Sequence, residues 1–158
     1  MKYNTLVCGI GNPMLKDDRA GIEVAERVER AGLPVDTEVI FGVGFEVNDK
    51  IMGYDEVIII DAAKTGLEPG TIQEVTIDDI FESHNLVRSH AITLGSTLKA
   101  GYELFPDQMP KKLTIILIEA EDYAEFTKIC SPKVQEAVDK VFNMITLMIT
   151  NKRIPGPQ

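Results

Sequence analysis

Four consecutive β-branched aliphatic residues, Val57-Ile58-Ile59-Ile60, constrain this chain more than any other stretch. A strand with one solvated face alternates apolar and polar residues; a run that is apolar at every position has both faces covered. Branching at Cβ favours extended backbone. Such a strand belongs at the centre of a mostly parallel sheet with helices on both sides. Asp61 follows the run directly. A carboxylate beside an apolar core is costly unless it is paired or holds a cation.

The rest of the chain repeats that theme. Thr5 to Ile10 is a short apolar run broken by glycine, the pattern of a buried strand. Asp17-Asp18 then open a helical stripe of Ile22, Ala25 and Val28, which Gly32 and Pro34 end. Glu38 to Phe41 reads as a second strand, Gly42-Val43-Gly44 as a flexible turn and Glu46 to Met52 as a short helix. Beyond the central run, Thr71 to Ile77 reads as a strand, Asp78 to Asn85 as a short helix or loop, Ala91 to Leu104 as a helix and Leu113 to Ile118 as a buried strand. Ser131-Pro132 opens a last helix, with serine as its cap and proline in its first position. Its stripe of Val134, Ala137, Val138, Val141, Phe142, Ile145, Met148 and Ile149 keeps the 3.6-residue period. Strands alternating with helices predict one three-layer α/β domain over residues 1–150. Its sheet is mostly parallel and twisted, of about five strands, with helices on both faces. Residues 151–158, with two prolines and a glycine, read as a flexible tail.

Charge narrows the partners. The formal net charge is −9, so the broad basic surface that nucleic-acid binding needs is not expected. No stretch approaches the roughly 20 apolar residues of a membrane span, and the N-terminus has no secretory pattern. A cytoplasmic location is expected. The two cysteines, Cys8 and Cys130, form no C-x-x-C pair, and Cys8 sits in mid-strand as a buried small residue.

In sheets of this class, functional residues gather beyond the carboxyl ends of the strands. Three candidates fall there. The first is Gly9-Ile10-Gly11-Asn12-Pro13 leading to Asp17-Asp18. It is not a dinucleotide fingerprint: Met14 stands where a third small residue belongs, and Phe41 where a ribose-binding acid belongs. Either aspartate would also serve simply as a helix-start acid. The second is Asp61, whose simpler reading is a cap for the segment after it. The third is His90, one of only two histidines with His84. Two carboxylates and an imidazole suit a borderline metal such as nickel or zinc, and three ligands leave positions open. No H-E-x-x-H, G-x-S-x-G or phosphate-binding loop occurs.

These residues resemble the hydrogenase maturation endopeptidase family. The resemblance runs from Gly9-x-Gly11-Asn12-Pro13 through Asp17-Asp18 to Gly21, then Ile58-Ile59-Ile60-Asp61-Ala62, Ser89-His90 and Ser131-Pro132-x-Val134. It implies that Asp18, Asp61 and His90 recognise nickel and carry the cleavage. It also implies a partner, the large-subunit precursor of a nickel–iron hydrogenase. The family cuts a C-terminal extension from that precursor once nickel is inserted. Nickel is then carried by the precursor, with no tightly bound metal of the protease's own. One departure is Phe41-Gly42-Val43-Gly44-Phe45-Glu46 where many members have D-G-G-T-x-G. In this the chain resembles the branch serving deazaflavin-reducing hydrogenases. A non-catalytic chaperone that checks nickel loading would use the same ligands, and a small-molecule hydrolase or nucleotide-binding domain would use the glycine turn.

Overall fold

A computed structural model describes residues 2–123 and 125–151. The central strand, β3 (Glu56–Ala63), is buried along its whole length. It pairs in parallel with β1 (Thr5–Ile10) on one side and β5 (Lys112–Glu119) on the other. Outside β1 lies β2 (Asp36–Ile40), also parallel, and outside β5 lies β4 (Ile72–Val75), antiparallel. The order is β2-β1-β3-β5-β4. The sheet of five strands and its buried β-branched centre agree with the sequence reading.

Alternation along β3 builds two cores. Val57 and Ile59 face a layer formed with α2 (Glu46–Ile51) and α5 (Ala91–Leu104), through Val47, Ile51, Leu94 and Leu98. Ile58 and Ile60 face the opposite layer, with Val24 and Val28 of α1 (Ala20–Arg30) and Val134, Val138, Val141 and Ile145 of α6 (Pro132–Asn151). Burial of these aliphatic side chains, at about 1.5–3 kcal/mol each, is the main stabilising contribution.

Two glycines draw α1 close to the sheet. A Cβ at Gly9 would collide with the Gly21 carbonyl, and one at Gly21 with the Ile60 carbonyl. The start of α1 therefore lies directly over β1 and β3, immediately before Asp61.

Four local expectations are corrected. Asp61 lies within β3 rather than after it, opposite Leu117 of β5. β2 spans Asp36–Ile40, so Phe41 falls outside it. The strand expected over Thr71 to Ile77 is shorter, because Thr76 closes it and caps α3 (Ile77–Glu82) in a reciprocal box with Asp79. The segment to Asn85 is a pair of short helices, α3 and α4 (His84–Val87). Asn151 closes α6, and the rest of the expected tail lies outside the described residues. No helix among the described residues is long and apolar enough to cross a membrane.

Candidate functional site

The first acid is delivered by a self-braced turn. After β1, the Asn12 side chain accepts the Met14 N–H at 2.9 Å, and the Arg19 guanidinium donates to the Pro13 carbonyl at 2.8 Å. Asp17–Arg19 form a single 3-10 turn. Asp18 then accepts the Asn12 N–H at 3.1 Å, closing the loop on itself. Gly11 permits this closure, since a Cβ there would overlap the Asp18 carbonyl. The glycines of the motif are thus filled by the chain's own backbone, which leaves no approach for a phosphate.

Asp61 is buried in β3 and accepts the N–H of its neighbour Ala62 at 2.9 Å. His90 is exposed and directly precedes α5. Its place is set by Ser89, whose buried hydroxyl donates to the Leu86 carbonyl at 2.8 Å and accepts the Ala91 N–H at 3.1 Å. Asp18, Asp61 and His90 all line one cleft of about 270 Å³, together with Gly11, Phe41, Val43 and Tyr123. A roomier groove of about 460 Å³ between α3, α5 and β5 holds none of the three.

The carboxylates shape the field in the cleft. Burial pushes Asp61 up to about 8, the Asp18 charge pushes in the same direction, and the Ala62 N–H opposes them. Burial also raises Asp18, against the Asn12 N–H and His90, which both favour its charged form. The Asp18 charge thus works against ionisation of Asp61, which a nearby cation would favour. Among the described residues, no three acidic, histidine or cysteine side chains form a group that could hold a metal ion by themselves. The three residues share a cleft without closing a cage.

The role of Asp17 and the presence of Tyr123 escaped the sequence reading. Asp17 has no exposed surface. Its carboxylate accepts the N–H groups of Glu121, Asp122 and Ser131 and the Ser131 hydroxyl, at 2.8–2.9 Å. Ser131 stands in the cap position expected for it, directly before Pro132 of α6, and its hydroxyl donates to Asp17. These bonds fasten the segment that carries Tyr123 to the wall of the cleft. Burial first, and then Asp61 and Asp18, raise the Tyr123 phenol, so it remains an O–H donor. The adjacent Asp17-Asp18 pair marked the position, but nothing in the sequence shows that one acid turns inward to a loop a hundred residues away. Cys8 is buried and its thiol is pushed up to about 12, chiefly by burial, which removes it as a nucleophile. His84 lies in α4, and the cleft does not include it.

Comparison with known proteins adds kinship to this geometry. The family described as hydrogenase maturation protease matches residues 22–147. The chain is 29% identical over 160 residues to a Methanocaldococcus jannaschii protein described as a hydrogenase maturation protease, covering 91% of this chain and 95% of that one. It is 28% identical to the hydrogenase 2 maturation protease of Escherichia coli, covering 86% and 87% of the two chains. Among solved structures, the E. coli hydrogenase maturating endopeptidase HybD superposes with a TM-score of 0.72 at 24% identity, covering 94% and 93%. HybD from Thermococcus kodakarensis superposes with a TM-score of 0.71 at 23% identity, covering 92% and 98%. These superpositions establish a common fold. With the family match extending over most of the chain, the protein belongs to the hydrogenase maturation protease family.

Proposed function

We propose that this protein is the endopeptidase that removes the C-terminal extension of a nickel–iron hydrogenase large subunit after nickel has been inserted. The observation that carries the reading is the pairing of Asp18 and Asp61 in one cleft, with His90 beside them. Burial and the Asp18 charge hold Asp61 back from ionising, and a cation brought into the cleft would favour its charged form. In this reading the cation arrives with the substrate. Nickel held by the precursor has vacant positions, and Asp18, Asp61 and His90 complete its shell. Completing it brings the neighbouring peptide into register against the cleft wall at Gly11, Val43 and Tyr123. Hydrolysis then adds water across the peptide bond, breaking C–N and releasing a carboxylate and an amine. Nickel, when present, supplies Lewis acidity.

The family membership of the chain favours cleavage over a checking chaperone built on the same side chains. We further assign the chain to the branch serving deazaflavin-reducing hydrogenases. Support comes from the Phe41-Gly42-Val43-Gly44 stretch, where an aromatic residue stands in place of the acid and Gly44 in place of the threonine. The mass of a nickel-loaded precursor, taken before and after incubation, tests the activity. Loss of the extension is expected, and an unchanged mass with stable complex formation would support the chaperone. Supplying precursors of different hydrogenases tests the branch, which predicts preference for the deazaflavin-reducing type.

A further inference from the structure

The geometry points to Thr97 as a positioning residue that sets the substrate-facing wall of the cleft. Its hydroxyl donates to the Val43 carbonyl at 2.8 Å, and Val43 lines the cleft. Thr97 lies in α5, the helix that begins directly after His90. The same helix is capped by Phe105, the residue after its last, whose ring meets Phe45 edge-on at 6.2 Å. One helix therefore holds the segment 43–45 at two points and carries His90 at its head. Gly42 and Gly44 flank Val43 with open space where a Cβ would go. Nothing at either glycine wedges the loop, so the bond from Thr97 takes on that task.

Asn48 of α2 supports this assignment. Its amide donates to the Thr97 carbonyl at 2.9 Å, and the side chain is fully buried. Among the described residues, its Oδ1 has no hydrogen-bond partner. An apolar residue would pack α2 against α5 without that cost. Gly101 leaves room for the amide, since a Cβ there would stand 2.7 Å from Oδ1. The polar brace thus fixes α2, which follows the loop, to the turn of α5 that grips it. Thr97 acts through Val43 and touches no reacting atom. Its loss would blur the fit of the precursor peptide and leave the acid pair in place.

The inference rests on the proposed endopeptidase activity, and two variants separate them. Thr97→Val keeps the shape and removes the hydroxyl; Thr97→Ser keeps the hydroxyl. With nickel-loaded precursor, Thr97→Val should raise KM about fivefold to tenfold with kcat within about twofold, and Thr97→Ser should stay near wild type on both. Backbone amide spectra should show Gly42 to Phe45 shifted and exchanging faster in Thr97→Val, with Asp61 to Ala63 unmoved. A wild-type KM in Thr97→Val, or equal impairment of the two variants, would overturn the inference. Should wild type cut no precursor, the proposed function fails by itself. The amide spectra then decide on Thr97, with unchanged loop signals in Thr97→Val counting against it.

Discussion

At the scale of single residues, Asp18, Asp61 and His90 differ in what they cost the fold. His90 is exposed, and Asp18 makes one hydrogen bond at the mouth of the cleft. Asp18→Ala and His90→Ala should each lower stability by only about 1 kcal/mol, as expected away from the core, and abolish processing. Urea melts and the precursor cleavage assay check both halves; wild-type cleavage by either variant would remove that residue from the site. Asp61 behaves differently. Its carboxyl is held near 8 in the folded chain, well above an unfolded aspartate. The folded state then binds the extra proton, so this group's contribution is fully present below about pH 4 and is lost as pH rises through 8. Asp61→Asn removes the titration. Its stability relative to wild type should climb between pH 4 and pH 8 by an amount on the order of a few kcal/mol. Denaturant midpoints across that range measure the difference, and a constant difference would mean Asp61 is already ionised.

At the scale of elements, the close approach of α1 to the sheet decides where Asp18 stands. Gly21→Ala would press a methyl group onto the Ile60 carbonyl, where neither backbone can give way. A loss of about 3 kcal/mol, the upper part of the overpacking range, is expected in urea unfolding, with precursor cleavage falling in parallel. An unchanged midpoint would mean that α1 rides higher above β3. The periodic elements were legible in sequence because their signal is local: the β-branched run of β3 and the long stripe of α6 each specify one element. The braced turn after β1 was legible for the same reason, since Asn12, Pro13, Asp18 and Arg19 bond among themselves. What stayed hidden depends on distance along the chain. Asp17 and Ser131 are 114 residues apart, so a buried acid that receives the Ser131 hydroxyl looked like a helix-start acid. Asp61 looked like the residue after a strand because β5 continues beside it through Glu119, extending the ladder past the apolar run. Tyr123 gave no periodic signal, lying in an irregular segment that the Asp17 carboxylate and the loop before it fasten.

At the scale of the whole molecule, the fold joins three distant stretches of chain in one cleft. Asp18 follows the strand β1, Asp61 sits inside the strand β3, and His90 directly precedes the helix α5. Burial and the neighbouring Asp18 charge hold Asp61 back from ionising, and α5 grips the cleft wall at Val43. Under the proposed function, a protease built in this way gains full affinity only for a substrate that brings a metal with vacant positions. That differential binding supplies the discrimination between loaded and unloaded precursor. The most direct test incubates the wild-type protein with purified precursor, with and without inserted nickel, after a chelator has removed free metal. Cleavage of the nickel-loaded form alone is the predicted result. Equal cleavage of both forms would contradict the account and leave Asp18, Asp61 and His90 as ordinary polar residues of a strand-end cleft.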